Sequence, residues 1–146
     1  MDSQIGRAGT SSRAVACIQR LRDAINHHDL EAMTNCFDPD YQSTFPAHPE
    51  RAFHGHEQMR KNWSQIFAAV PDIQASLLSC TADGEVVWSE WDWEGTRADG
   101  APFMMRGVTI QGVPEDRIVW TRLYMEPVQE GGPGIEVAMR PGVEAP

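Results

Sequence analysis

Residues 73–128 read IQASLLSCTADGEVVWSEWDWEGTRADGAPFMMRGVTIQGVPEDRIVWTRLYMEPV. The spacing predicts four strands joined by tight turns. Ile73–Thr81 is the first, and Ala82-Asp83-Gly84-Glu85 turns the chain as a hairpin. Val86–Thr96 is the second and longest. The segment Arg97–Pro102 turns again, Phe103–Gly112 is the third strand, Val113–Asp116 is the last turn and Arg117–Val128 the fourth strand. Charged and phenolic residues (Glu90, Asp92, Arg122, Tyr124, Glu126) lie on these strands, interleaved with Trp88, Trp91, Trp93 and Trp120. That mixture does not fit a plain surface sheet.

The first half is helical in pattern. Val15, Ile18, Leu21 and Ile25 recur at helical spacing after a Ser11 or Ser12 cap. Asp29 caps a second, short helix carrying Leu30, Met33 and Phe37, which Asp38-Pro39 ends. Asp40–Phe45 predicts a short strand, with Tyr41 on it. Gly55 opens a third helix whose stripe is Met59, Trp63, Ile66, Phe67 and Val70. The organisation is then a loose segment 1–12, one domain over 13–128 and an irregular Gly- and Pro-rich tail over 129–146. Helices cannot bury such stripes alone, so the order α-α-β-α-β-β-β-β predicts an α+β cone. A strongly curved antiparallel sheet wraps over three helices and leaves a blind pocket.

Bulk properties narrow the function. The 146 residues suffice for a single core. A net charge of -9 repels phosphate backbones, which argues against a nucleic-acid partner. No apolar run approaches the roughly 20 residues a membrane helix needs, and residues 1–12 lack the apolar core of a signal peptide. Three scattered cysteines fit reduced thiols in a cytoplasm. His54 and His56 lack a third ligand at a diagnostic spacing, and no phosphate loop, nucleophile elbow or dinucleotide fingerprint is present. We therefore expect no metal and no cofactor.

Strand parity gives the site candidates. In the long strand, Trp88, Glu90, Asp92 and Glu94 share one face, and Val87, Ser89, Trp91 and Trp93 the other. Two arrangements are open. Trp91 and Trp93 face the core with the acids in water, or Trp88 and Glu90 face the cavity while Trp91 or Trp93 packs between two copies. In the last strand, Ile118, Trp120, Arg122, Tyr124 and Glu126 oppose Val119, Thr121, Leu123 and Met125. A covered Arg122 needs an internal partner, either Glu126 or Glu90 as an ion pair. In the other reading, carboxylate and phenol frame a substrate carbonyl. The pocket set is Tyr41, Trp63, Trp88, Glu90, Trp120 and Arg122. His48, between two prolines, sits in a loop of the kind that rims a cone's mouth, where a histidine can move protons.

Several phrases carry a family resemblance. They are Asn26-His27-His28-Asp29-Leu30-Glu31-Ala32-Met33, Phe53-His54-Gly55-His56-Glu57, Val70-Pro71-Asp72 and Val86–Trp91. Gly95-Thr96, Asp116–Val119 and Leu123-Tyr124-Met125-Glu126 complete the set. The chain resembles the SnoaL-like branch of the nuclear transport factor 2-like, or ketosteroid isomerase-like, superfamily over about residues 13–128. The resemblance implies isomerase-, polyketide cyclase- or epoxide hydrolase-like chemistry, or non-catalytic binding. It implies a homodimer through the outer sheet face. It places Glu126 where a cyclase aspartate serves as acid/base, and Asp40 near the isomerase base. It offers Arg122 and Glu126, with Asp92 or Glu90, as an epoxide hydrolase-like set. The expected function is cofactor-free proton transfer on a small apolar carbonyl or hydroxylated compound: isomerisation, cyclisation, dehydration or hydration. Glu126 or Asp40 is the base, and Tyr124 or His48 the donor. The alternative is a non-catalytic small-ligand binder or dimeric accessory domain.

Overall fold

A computed structural model describes residues 2–142; Met1 and the last four residues of the expected tail lie outside the described residues. Helix α1 spans Asp2–Asn26, α2 Leu30–Asn35, and strand β1 Phe37–Thr44. A 3-10 turn, Pro49–Arg51, leads to the two-residue strand β2, Phe53–His54, and to α3, His56–Ala69. Strands β3 (Gln74–Asp83), β4 (Val86–Thr96), β5 (Pro102–Gly112) and β6 (Ile118–Pro127) follow, then a one-turn helix α4, Ile135–Ala138. The fold is the expected α+β one, with a single curved sheet in the order β2-β1-β6-β5-β4-β3. Helices α1 and α3 lay their apolar stripes on one face of it, burying Ile18, Leu21, Ile25 and Met59 against Trp91 and Trp93.

Local signals explain most elements. Asp29 caps α2 by accepting from the Ala32 N–H at 3.0 Å. Gly84, at φ 61°, makes the two-residue β3–β4 turn. Asn26, at the end of α1, satisfies the edge strand β3. Its Nδ2 donates to the Ala75 carbonyl (3.0 Å) and its Oδ1 accepts from the Ala75 N–H (2.6 Å). One side chain thus stands in for a missing neighbour strand.

Helix α2 ends before Phe37, which opens β1 instead, and β2 is a strand the sequence did not predict. Three further features differ from expectation. The segment expected to be loose is helical from Asp2, and it docks on the β3–β4 turn. Arg7 pairs with Asp83, and Ser11 Oγ donates to the Gly84 carbonyl at 3.2 Å. Partners more than 70 residues away hold turns that Gly6 and Gly9 weaken locally. The sheet is not wholly antiparallel, because β1 pairs parallel with β6. That ladder breaks between Phe37 and Gln42, around Pro39, which has no N–H to give. Finally, part of the tail forms α4.

Candidate functional site

The curved sheet, α1, α3 and β1 enclose a cavity of about 220 Å³. The inward residues of β4, β5 and β6 lie in cross-strand rows. Trp91 stands opposite Gly107, which stands opposite Met125; Val87, Gln111, Thr121 and Ser43 form another row. Trp91 is 2% exposed and Trp93 8%, so both tryptophans face the core. Of the two sequence readings, the structure selects the one with the acids in water. Trp63 from α3 meets Trp93 edge to face at 5.4 Å. Phe37, Tyr41, Phe53, Met105 and Leu123 complete the apolar walls.

One patch of the wall is polar. Trp91 Nε1 donates to Thr109 Oγ1 (3.0 Å), Thr109 Oγ1 to Gln111 Oε1 (3.2 Å), and Gln111 Nε2 to Thr121 Oγ1 (3.3 Å). The indole N–H can only donate, and the single Thr109 hydroxyl proton passes on to Gln111 Oε1, so the chain runs from Trp91 toward Thr121. The hydroxyl proton of Thr121 and the second amide proton of Gln111 are left over. Ser43 and Tyr41, 2% and 3% exposed, line the same cavity, and their hydroxyls make no hydrogen bond to a described residue. Burial pushes the Tyr41 phenol above its ordinary pKa, so it stays a neutral donor. The patch is therefore rich in donors. Among the described residues no aspartate, glutamate, histidine or lysine lines the cavity, and Arg51, on the 3-10 turn, is the one charged residue that does.

The expected site residues divide. Tyr41 and Trp63 line the cavity. Trp88, Glu90, Trp120 and Arg122 do not; they point to the outer face of the sheet, with Tyr124 and Glu126. Trp88 is half exposed, and Tyr124 is exposed. Parity on β6 is the reverse of the one that fills the pocket with Arg122 and Tyr124: Thr121, Leu123 and Met125 face inward. The reason is composition. The inner face carries Thr and Gln, which look like surface, while the outer face carries Trp and Tyr, which look like core. Neither expected ion pair of Arg122 forms; its guanidinium lies over Trp120 at 4.8 Å. Asp92 pairs with Arg106 (3.3 Å) instead, so the epoxide hydrolase-like set does not assemble. Asp40 is exposed on β1. Trp91 and Trp93, being buried, supply no contact between copies.

Two candidates do meet. His48 Nε2 and Glu126 Oε1 are 2.6 Å apart, with both side chains partly exposed. The His48 turn runs between Phe45 and Arg51, and Glu126 follows Met125, all three of which line the cavity. Neither residue of the pair lines the cavity; it joins the loop before Arg51 to the outward side of β6. Thr109, Gln111, Thr121, Ser43 and Arg51 are the site residues that sequence reading missed. Alternation on β5, counted back from Gln111 to Met105 and set against Trp93 on β4, carries the signal for the first two.

Residues 18–121 match the SnoaL-like domain family. The chain belongs to that family. No curated protein matches it. Among solved structures, IdmH from Streptomyces antibioticus, proposed as a polyketide cyclase, is 23% identical. The match covers 77% of this chain and 91% of IdmH at a TM-score of 0.68. A protein from Jannaschia sp. CCS1, proposed as a SnoaL-like polyketide cyclase, is 18% identical over 80% and 88% of the two chains, TM-score 0.70. An M. tuberculosis LEH-like epoxide hydrolase is 14% identical over 80% and 84%, TM-score 0.68. At these identities the likeness is one of fold, the SnoaL-like fold expected above. It assigns no reaction to this member.

Proposed function

We propose that this SnoaL-like domain takes a small, mostly apolar carbonyl compound into its blind cavity. The carbonyl oxygen rests on the donors of Tyr41, Gln111 and Thr121. The observation that carries this reading is the hydrogen-bond chain from Trp91 to Thr121, which leaves the Thr121 hydroxyl proton and one Gln111 amide proton free for a ligand. Size follows from volume. A 150 Å³ apolar cavity holds benzene, so 220 Å³ suits about nine non-hydrogen atoms. Related folds that bear cyclase and epoxide hydrolase names support a small-molecule role. Calorimetric titration with acetophenone and with ethylbenzene tests it. The two share a ring and differ by the oxygen. The ketone is expected to bind roughly 10-fold tighter, the worth of about one well-made buried hydrogen bond. Equal affinity for the two means that the polar patch recognises nothing.

A second reading makes the domain a proton-transfer enzyme, and the 2.6 Å contact of His48 with Glu126 favours it. In a neutral imidazole whose Nε2 donates to the carboxylate, Nδ1 is the basic nitrogen. Donors on the carbonyl oxygen acidify the neighbouring C–H, and His48, on the loop before Arg51, is the base this reading assigns to that proton. Glu126 orients the ring. Deuterium uptake at the methyl group of acetophenone, followed by NMR in heavy water, is expected to run faster with the protein than in buffer. His48→Ala is expected to abolish the gain, and Glu126→Gln to cut it by roughly 10-fold or more. A wild-type rate equal to that in buffer leaves the domain a binder.

A further inference from the structure

We propose that the natural ligand is a monoanion: an apolar carbonyl compound with a carboxylate, which Arg51 holds at the mouth of the cavity. This rests on the reading that the cavity binds a carbonyl compound, and adds the charge.

Among the described residues Arg51 is the only charged side chain on the cavity lining. Eight other arginines have a partner. Arg7, Arg22, Arg60 and Arg106 pair with acids; Arg13 and Arg20 donate to a hydroxyl and a carbonyl; Arg97 and Arg122 lie over aromatic rings. Arg51 takes part in no ion pair, side-chain hydrogen bond or ring contact with a described residue. Arg117 and Arg140 also lack one, but they do not line the cavity. Glu126, the acid tied to the same loop, is engaged by His48. In a chain of net charge -9, one unpaired guanidinium at an apolar mouth is a local exception to the prevailing field. Its planar fork of N–H donors matches a carboxylate bidentately. A phosphate, with its higher charge, would call for more than one cation. Trp63, Trp93, Phe53 and Leu123 line the same cavity and suit an uncharged ring or short chain.

The position of Arg51 is built into the fold. The Arg51 N–H donates to the His48 carbonyl at 3.0 Å, and the His48 N–H to the Phe45 carbonyl at 2.7 Å. Two backbone hydrogen bonds thus fold the segment from Phe45 to Arg51, and the His48–Glu126 contact ties it to β6.

The test uses three probes and two proteins in calorimetric titration. The probes are acetophenone, 4-oxocyclohexanecarboxylate and the primary amide of that acid. The proteins are wild type and Arg51→Gln. The acid is expected to bind wild type roughly 10-fold tighter than its amide, the margin of a charge-assisted over a neutral hydrogen bond. Added salt is expected to shrink the margin, because the site is open to solvent. Arg51→Gln is expected to erase it while leaving the ligand-free melting temperature unchanged. Arg51→Lys is expected to restore part of it. If acid and amide bind wild type equally while acetophenone binds, the anion is overturned and the carbonyl reading stands. If the acid's advantage survives in Arg51→Gln, the assignment to Arg51 is overturned. If none of the three binds, both readings fall.

Discussion

Gly107→Ala is expected to lower the melting temperature by about 10 °C, corresponding to a loss of roughly 3 kcal/mol or more. Gly107 sits in the middle of β5, opposite Trp91 on one side and Met125 on the other. A Cβ there meets the Tyr124 carbonyl oxygen at 2.0 Å and the Met125 Cα at 2.8 Å. Both belong to the β6 backbone, which cannot step aside without stretching the ladder. The strain falls on the cavity wall, since Trp91 and Met125 line it. Gly112→Ala offers the contrast. Its Cβ meets Trp120 Nε1 at 2.0 Å, a side chain on the outer face that can rotate away. That change is expected to cost much less. Thermal unfolding of the two variants side by side decides the matter. A Gly107→Ala transition within about 2 °C of wild type would mean that β5 and β6 are not this close.

Gln111→Leu is expected to reduce ketone affinity by roughly 10-fold or more and to leave ethylbenzene affinity unchanged or improved. Leucine fills nearly the same volume, so the fold survives. What is lost is the link between Thr109 and Thr121. Thr109 keeps the Trp91 donor but loses its acceptor, and the cavity loses the spare amide proton. Each buried group left unpaired costs about 1–3 kcal/mol, so the ligand-free protein is expected to melt several degrees lower as well. Equal loss of affinity for ketone and hydrocarbon would point to collapse of the cavity rather than to a missing donor.

The strands were legible because their punctuation was local. Asp83-Gly84, Asp99-Gly100 and Pro114 mark the three turns, and the bounds expected for β4 match those observed. The first capping residue of α2 was equally plain. Pairings between distant segments were not. Strand β2 has two residues and exists only because β1 accepts it, and the parallel β1–β6 ladder joins segments about 80 residues apart. The site failed on one question of parity. Hydrophobic alternation names the buried face only when one face is apolar, and β6 is mixed on both. The cavity wall holds Thr109, Gln111 and Thr121 inside. Trp120 and Arg122 cover each other on the outer face. The usual signal is thus inverted on the strands that build the cavity. Register corrects it: Trp91 and Trp93 fix the inner face of β4, and the hairpins carry that parity to β5 and then β6.

The most direct measurement is the infrared carbonyl stretch of acetophenone labelled with carbon-13 at the carbonyl, bound to wild type and to Gln111→Leu. Donors fixed by the Trp91–Thr109–Gln111 chain predict a bound frequency at or below that in water, and a rise toward the hydrocarbon-solvent value in the variant. A wild-type frequency already at the hydrocarbon value would show the carbonyl meeting no donor, and would contradict the account.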